Sequence, residues 1–305
     1  MEITLLGTGS SSIALANAMG IRRNLKKADI AILWGLKKVE LCDNPQYNYV
    51  INNPRELKAT ANKHKQLSKL AENNIPVPTF SLTPLTSKPM LGRDFYHSRG
   101  TDIEFFDILT PIKPRDYYIE FIPNCKERRY HVIGGQVVSS CYKFGGDRTG
   151  KGEYCKNLTT GWHFQEFTGK IEEKNLAIEA VKALGYDFGA VDILIAQNSN
   201  RYVLEVNTAP GLCMPRLEQY ANYLYYLAEK LYTGDDSIIP DEEDPTNTYE
   251  VCFERTYTYT TRITGETRDV AENNAWDNLP APPDEGEWNA NDTEVYESCI
   301  VDNNS

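Results

Sequence analysis

Three oxygen-bearing side chains lie in two neighbouring apolar segments of the sequence. Asp192 lies in the first segment, Glu205 and Asn207 lie in the second, and Asn198-Ser199-Asn200 separates the two. Two apolar strands joined by a short polar turn are typical of a β-hairpin. Two carboxylates buried together repel each other unless a cation lies between them. Because Mg²⁺ accepts carboxylate and amide ligands, the pattern indicates a magnesium site, and a solvent-exposed polar face is the competing interpretation.

The register of this hairpin decides whether the three side chains converge. Side chains alternate along a strand, so Glu205 and Asn207 share one face. A two-residue turn at Asn198-Ser199 would place Asp192 opposite Glu205. A turn one residue longer would offset that pair, so the pairing is a prediction that depends on the turn.

The two segments resemble the metal-binding hairpin and following loop of the ATP-grasp superfamily. The resemblance rests on Ala190-Val191-Asp192-Ile193-Leu194 and on Tyr202-Val203-Leu204-Glu205-Val206-Asn207-Thr208-Ala209-Pro210-Gly211. It is nearest to carboxylate–amine ligases that add amino acids to a peptide or protein, such as glutamate ligases, and it is close to ATP-grasp proteins of phages. It implies an α+β fold whose two subdomains grip ATP, with Mg²⁺ bound by Asp192, Glu205 and Asn207.

Basic residues upstream extend the resemblance. Lys63 lies at the start of a predicted helix over residues 62–74, which ends before two prolines that cannot continue it. The resemblance implies that Lys63 reaches the nucleotide phosphates. It also implies that Arg93 replaces the family's second phosphate-binding lysine, with Lys88 as its competitor, and that residues 94–101 close over the phosphates. Arginine can bind phosphate through two parallel hydrogen bonds.

Two further segments match the family's nucleotide contacts. Tyr118-Ile119-Glu120-Phe121-Ile122 resembles its hinge strand, which implies that Glu120, Phe121 and Ile122 lie at the adenine. Glu127-Arg128-Arg129 resembles its Glu-x-Arg strand, which implies that Glu127 faces the ribose and Arg129 the phosphates or substrate. Lys143 and Asn157 lie where the family has a basic residue and an asparagine that faces metal or phosphate. The resemblance gives catalytic roles to Arg93, Arg129 and Lys143.

The activity that this resemblance implies is that of an ADP-forming ligase. ATP phosphorylates a carboxylate, and the amine of an amino acid, peptide or protein then attacks the acylphosphate to form an amide. Two other hypotheses share the ATP site: a kinase that stops after phosphoryl transfer, and a binding protein that has lost catalysis. The retained carboxylates argue against the second of these. A nicotinamide-dinucleotide enzyme is suggested by Gly7-Thr8-Gly9, but Ser12 stands where the third glycine is expected.

The elements that must position these residues follow from the hydrophobic pattern. Residues 1–61 predict a truncated α/β lobe, with strands over 3–6 and 30–34 and a helix over 13–19. Residues 62–233 form the predicted ATP-grasp domain. Within it, segments 117–122 and 132–141 are expected to be neighbouring strands, and Gly134-Gly135 is expected to form a hairpin turn. Apolar stripes predict two core helices, one with Leu176, Ala180, Val181 and Leu184 and one with Leu217, Tyr220, Leu224, Leu227 and Leu231.

The end of the chain differs in composition. Residues 234–248 predict an acidic linker, and residues 249–305 predict a small β-containing appendage outside the catalytic core. Its strand-period alternation runs over 249–263, and a short helix is expected over 270–279. Residues 234–305 hold 19 acidic residues and 3 arginines, whereas residues 1–233 hold 29 basic and 24 acidic residues. The net charge of −11 therefore belongs to the tail, and the mildly basic remainder suits phosphate.

Composition limits the class of protein. The seven cysteines contain no C-x-x-C pair, which favours reduced thiols over a disulfide framework or a zinc site. No apolar run approaches the roughly 20 residues of a membrane helix, and no signal-like segment begins the chain. We therefore expect a cytoplasmic protein, in a host cytoplasm if a phage encodes it. Nucleic-acid and membrane binding are not indicated, and the oligomeric state is left open.

Overall fold

The computed structural model describes most of the chain up to residue 235. The described ranges are 1–35, 46–53, 62–96, 100, 102–109, 111–146, 151–157, 160–213 and 216–235, with the backbone alone of 249–254, 258–263 and 300–302. The chain forms two compact units, residues 1–166 with 171–236 and residues 167–170 with 237–305. The predicted helix over 270–279, most of the predicted linker and residues 97–99 and 101 of the predicted phosphate loop lie outside the described residues.

The first 51 residues build a parallel sheet around apolar strands. Its strands are β1 (Ile3–Gly7), β2 (Arg22–Arg23), β3 (Ala28–Trp34) and β4 (Tyr47–Ile51), in the order β2-β1-β3-β4, with helix α1 (Ser10–Ala18) after β1. Strand β3 is buried almost throughout because apolar residues follow one another along it. The two predicted strands and the predicted helix of this lobe are confirmed.

A small antiparallel sheet follows helix α2 (Lys63–Glu72). Asn62 caps this helix, because its side chain accepts a hydrogen bond from the Lys65 amide at 3.1 Å. The sheet consists of β5 (Phe80–Ser81), β6 (Met90–Arg93), β7 (Glu104–Phe106) and β8 (Tyr117–Glu120), in the order β5-β8-β6-β7. The prediction that segment 117–122 neighbours segment 132–141 is wrong, since β8 pairs with β5 and β6. Asn124, at a positive φ of 51°, lies in the turn through which the chain leaves β8 for a different sheet.

A five-stranded antiparallel sheet forms the second subdomain. It contains β9 (Lys126–Ile133), β10 (Gln136–Gly145), β11 (Trp162–Glu166), β12 (Phe188–Ile195) and β13 (Arg201–Asn207), in the order β11-β10-β9-β12-β13. Gly134 and Gly135 join β9 to β10 with φ of 57° and 81°, which confirms the predicted hairpin turn. The helices are α3 (Lys151–Tyr154), α4 (Ile171–Ala183) and α5 (Arg216–Thr233).

The two predicted apolar stripes lie in the core. In α4, Leu176, Ala180 and Val181 are buried, and Gly185 follows the helix with a φ of 71°. In α5, Tyr220 and Leu224 are buried in one cluster with Trp34 and Phe188. That cluster contains residues of β1, β3, β12 and α5, so it joins the N-terminal sheet to the five-stranded sheet within one unit.

The described backbone of the second unit forms a separate small sheet. Strand β14 (Tyr249–Glu254) pairs antiparallel with β15 (Thr258–Ile263) and with β16 (Ile300–Asp302). The predicted strand alternation over 249–263 therefore corresponds to two strands. Among the residues that the structure describes, no helix combines the length and apolar character that crossing a membrane requires.

Candidate functional site

The β12–β13 hairpin reaches its predicted register by two compensating irregularities. Ile195 pairs with Arg201, and the Ala196 amide donates to the Asn200 carbonyl at 2.9 Å. The loop therefore has three residues, Gln197 to Ser199, and Ser199 has a φ of 66°. The turn is therefore the longer of the two alternatives that the sequence left open. A shift in the ladder beside Leu204 adds one residue to β13, and Asp192 again lies opposite Glu205. The pairing of Asp192 with Glu205 is confirmed, and the structure reaches it through the longer turn together with this irregularity.

Asp192 is held by an arginine of the neighbouring strand. It is 4% exposed and lies opposite Arg129 of β9. Arg129 donates from Nε and from one terminal nitrogen to the two Asp192 oxygens, at 2.6 and 2.8 Å, and the Lys143 ammonium lies 3.7 Å from the same carboxylate. Burial alone would raise the Asp192 pKa, but the charges of Arg129 and Lys143 and the Arg129 hydrogen bond lower it. Asp192 is therefore ionised at neutral pH.

Glu205 is held by a lysine from another element. The Lys63 ammonium of α2 lies 3.0 Å from one Glu205 oxygen, and the Asn207 amide donates to the other at 2.8 Å. Glu205 and Asn207 therefore share a face, as predicted. Lys63, the predicted phosphate ligand, and two of the three predicted metal ligands come together at this point.

Arg93 belongs to the same neighbourhood, whereas Lys88 does not. Burial would lower the Arg93 pKa, but the Asp102 hydrogen bond and the negative charges of Asp102 and Glu205 raise it. Its guanidinium donates to Asp102 at 2.9 and 3.3 Å. Lys88 instead pairs with Glu120 at 2.8 Å, and its side chain is 46% exposed. Of the two candidates for the second phosphate-binding residue, the geometry favours Arg93.

The predicted adenine segment lies at the end of β8. Burial would raise the pKa of the Glu120 carboxyl, but the hydrogen bonds from Lys88 and Thr79 lower it below the ordinary value. The Glu120 and Phe121 amides donate to the carbonyls of Thr79 and Pro89, at 2.8 and 2.9 Å. These two amides are therefore not available to adenine. The predicted backbone contact with adenine would use the carbonyls of residues 120–122 or the amide of Ile122.

Glu127 lies between two lysines, one of which the sequence did not indicate. The Lys143 ammonium is 2.7 Å from one Glu127 oxygen, and the Lys156 ammonium is 3.5 Å from the other. The family resemblance had pointed to Asn157, the next residue in the chain, instead of Lys156. Asn157 takes part in hydrogen bonds within its own turn, where its Oδ1 accepts from the Thr160 amide at 3.2 Å. A lysine in a polar loop follows no hydrophobic period, so only the adjacent Asn157 drew attention to this part of the loop.

The charges of the cluster suit an anionic ligand with a metal ion. Among these residues, Lys63, Arg93, Arg129, Lys143 and Lys156 carry positive charge and Asp102, Glu127, Asp192 and Glu205 carry negative charge. The excess of one positive charge favours phosphate. In the described part of the chain no three His, Cys, Asp or Glu side chains gather as a metal cluster. The candidate donor set is therefore two carboxylates and an amide, whose shared face fits Mg²⁺ with further positions open to phosphate oxygens.

The loop after β13 approaches the N-terminal sheet. Gly35 follows β3 with a φ of 71°, and a Cβ built there would lie 2.7 Å from the Cβ of Ala209. Ala209 of this loop therefore lies against the carboxyl end of β3. Ligand sites in open α/β sheets favour that end of the strands.

The sequence is similar to known ligases over part of its length. A family model described as the RimK-like ATP-grasp domain matches residues 114–224. A probable alpha-L-glutamate ligase of Haemophilus influenzae is 30% identical over 189 residues, which cover 54% of this chain and 61% of that protein. One from Parasynechococcus marenigrum is 38% identical over 161 residues, covering 46% of this chain and 33% of that protein. The chain spans less than two thirds of the length of these relatives.

Solved structures show the same fold at low sequence identity. The ATP-grasp ligase PsnB, in complex with a minimal precursor, Mg and ADP, matches with a TM-score of 0.55 at 12% identity, covering 74% of this chain and 97% of that one. D-alanine–D-alanine ligase from Bacillus anthracis, in complex with ATP, matches with a TM-score of 0.55 at 13% identity, covering 77% and 99%. The predicted ATP-grasp fold is therefore confirmed.

Proposed function

We propose that the chain is an ADP-forming ligase that joins a carboxylate to an amine, starting from the match of residues 114–224 to a family model described as the RimK-like ATP-grasp domain. Relatives named alpha-L-glutamate ligase support this activity, as does the fold shared with the ATP-grasp ligase PsnB and with D-alanine–D-alanine ligase. The observation that carries the proposal is the meeting of Asp192, Glu205 and Asn207 with Lys63 at one face of the β12–β13 hairpin. The proposed substrates are the carboxylate and amine of amino acids, peptides or a protein.

The proposed nucleotide site uses the residues of this cluster. Asp192, Glu205 and Asn207 would hold Mg²⁺, which neutralises charge on phosphate oxygens when it is bound. Lys63 and Arg93 lie beside Glu205 and stabilise negative charge on the transferred phosphoryl group. Arg129 gives both hydrogen bonds to Asp192, so we assign it a positioning role rather than the predicted direct contact with phosphate.

The proposed reaction has two steps, and each step forms one bond and breaks one. The exchange takes place at phosphorus in the first step and at the carbonyl carbon in the second. A substrate carboxylate oxygen attacks the γ-phosphorus, ADP leaves, and an acylphosphate forms. An amine then attacks the carbonyl carbon, inorganic phosphate leaves, and the amine gives up a proton. Water would hydrolyse the acylphosphate, so the site must exclude it during the second step.

ADP release in the presence of candidate substrates tests the activity. Glutamate, other amino acids and short peptides are supplied singly and in pairs with Mg-ATP, and the products are identified by mass spectrometry. We expect ADP and phosphate in equal amounts together with an amide product. A phosphorylated product without an amide would assign the chain to the kinases, and absence of ATP binding would contradict the proposal as a whole.

The Glu205→Gln variant tests the assignment of the metal ligands. Glutamine keeps the size of the side chain but removes one of two carboxylates and the counterion of Lys63. We expect Mg-ATP turnover to fall by at least about 100-fold while the fold is kept. Turnover is measured as ADP release, and the fold is checked by circular dichroism and thermal unfolding.

A matched control is available for this variant. Glu104 has a similarly exposed side chain, 30% against 28% for Glu205, and likewise pairs with a lysine, Lys113. Glu104→Gln should therefore keep the turnover of the unmodified protein. Equal turnover in both variants would remove Glu205 from the metal site.

A further inference from the structure

Lys156 is a nearly buried cation with no counterpart among the expected site residues. Its side chain is 6% exposed. The ammonium donates to the Cys125 carbonyl at 2.7 Å, lies 3.3 Å from the Cys125 sulfur and lies 5.2 Å from the centre of the Trp162 ring. Its one carboxylate partner among the described residues is Glu127, at 3.5 Å.

Burial of this ammonium lowers the stability of the fold, so stability alone does not explain why a lysine occupies this position. A buried charge must be compensated by a partner, and Glu127 already pairs with Lys143 at the shorter distance of 2.7 Å. Two nearly buried ammonium groups, with side chains 7% and 6% exposed, therefore share Glu127. Lys143 also lies 3.7 Å from the Asp192 carboxylate, whereas Glu127 is the carboxylate that Lys156 pairs with among the described residues. The Trp162 ring offsets part of the cost through a cation–π contact. An uncharged side chain would avoid the rest, which points to a role for the charge itself.

The contacts of Lys156 fix one carboxylate and the chain beside it. Lys143 holds one Glu127 oxygen and Lys156 holds the other, so rotation of the carboxylate is restricted. The Cys125 carbonyl lies in the connection between β8, at whose end the proposed adenine contacts lie, and β9, which carries Glu127. Each carboxylate oxygen has two lone pairs, so each can still accept a hydrogen bond from a ligand.

We infer that Lys156 is a positioning residue for the nucleotide sugar: with Lys143 it holds the Glu127 carboxylate so that it accepts hydrogen bonds from the ribose hydroxyls of ATP. This inference rests on the proposed function, because it assumes that ATP binds in this site. It deepens that proposal, since it names a residue that sets preference for a ribonucleotide over a deoxyribonucleotide.

Equilibrium binding of ATP and of its deoxy analogues tests the inference. Dissociation constants of Mg-ATP, Mg-2′-deoxy-ATP and Mg-3′-deoxy-ATP are measured by calorimetry for the full chain and for Lys156→Met. We expect the unmodified chain to prefer ATP over at least one analogue by about 10-fold, as is typical of a hydrogen bond to a charged group. In Lys156→Met, ATP should bind about 10-fold more weakly and that analogue about as before, so the preference is lost.

Control variants separate positioning from loss of structure. Lys156→Arg keeps the charge and should keep most of the preference, and Lys151→Met removes an exposed lysine nearby and should leave it unchanged. Glu127→Gln should lose the preference, and adding Lys156→Met to it should cause no further loss. If Lys156→Met does not fold, Lys156→Gln takes its place, because it removes the same charge while retaining a donor.

The outcomes distinguish this inference from the proposed function. If the unmodified chain binds no ATP, the proposed function fails. If it binds ATP but shows no preference over either analogue, or if the neutral Lys156 variant keeps the full preference, the proposed function stands and the role of Lys156 is refuted. A general weakening of the site would lower the affinity for all three nucleotides equally and would also refute it.

Discussion

Asp192 and Glu205 are each held by a cation that comes from a different element. Arg129 of β9 holds Asp192, and Lys63 of α2 holds Glu205. The two carboxylates lie opposite each other on adjacent strands, where like charges would destabilise the pair. The two cations offset that repulsion at the face that is proposed to receive a metal ion.

A buried histidine lies two residues beyond Arg129 on the same strand. The His131 Nδ1 is 2.8 Å from the Tyr220 hydroxyl, and its Nε2 has no hydrogen-bond partner among the described residues. Burial and then the charges of Arg216 and Arg129 lower the His131 pKa well below its usual value. The folded protein therefore holds this imidazole neutral.

The neutral imidazole predicts a loss of stability at acid pH. Since the folded-state pKa is depressed, the unfolded chain binds a proton below about pH 6.5 that the folded chain does not bind. The contribution of His131 is fully present above that pH and is lost as the pH falls toward the folded-state pKa. The slope reaches up to about 1.4 kcal/mol per pH unit.

Urea unfolding at about pH 7.5 and about pH 5.5 measures this dependence. His131→Gln keeps a hydrogen-bonding group for Tyr220 but does not titrate, so its free energy of unfolding should fall less between the two values. Carboxylates whose pKa is lowered in the folded state, such as Asp192, lose their contribution at lower pH. An identical pH dependence in the variant and the unmodified protein would contradict the prediction.

At the scale of elements, the hydrophobic pattern predicted where strands lie better than it predicted which strands pair with each other. The alternation of apolar residues identified β8, but it does not indicate which sheet an apolar strand joins. The chain turns at Asn124, and β8 and β9 belong to different sheets. The hairpin of β12 and β13 was predictable from two apolar segments around a polar turn. The extra residue at Leu204 was not, because a leucine in a strand carries no signal of a bulge.

In the site, likewise, the residues of a sequence motif were predictable, whereas contacts between distant segments were not. Asp192, Glu205, Asn207 and Lys63 were predictable because their order and spacing match a known pattern. The pairing of Arg129 with Asp192 depends on the contact between β9 and β12, which are separated by 63 residues at this pair. Lys156 depends on a loop that brings it back to Glu127, so it could be recognised only in three dimensions.

The hairpin loop carries a conformation that its residue disfavours. Ser199 is exposed and has a φ of 66°, in the left-handed region where a side chain is strained and glycine is not. We expect Ser199→Gly to raise the free energy of unfolding by roughly 0.5 kcal/mol, since relief of strain exceeds the added entropy of the unfolded chain. Turnover should not change.

A neighbouring position supplies the control for this substitution. Gln197 lies in the same loop and has no positive φ, so Gln197→Gly relieves no strain. It only increases the conformational entropy of the unfolded chain and should therefore lower stability. Chemical denaturation of both variants measures the difference. Equal effects of the two substitutions would show that the backbone of Ser199 is not strained.

At the scale of the molecule, charge and the proposed site lie in different parts of the chain. Each residue assigned to the site, from Lys63 to Asn207, belongs to the unit formed by residues 1–166 and 171–236. The excess of acidic residues lies in 234–305, with 19 acidic residues against 3 arginines. Because the field of a charged segment acts beyond direct contact, the tail should affect the arrival of an anionic ligand.

Removal of the tail should therefore favour ATP at low ionic strength. A chain that ends at Asp235, two residues after α5, should fold, release ADP and show a KM for ATP that is a few-fold lower than that of the full chain in dilute buffer. At about 0.5 M salt the two values should converge, since the Debye length shortens to a few ångströms. A full-length variant with Asp241, Glu242, Glu243 and Asp244 replaced by Asn and Gln should show a smaller shift, because it loses only part of the charge. Loss of turnover on truncation would place a required element in the tail, and a shift that persists at high salt would rule out an electrostatic cause.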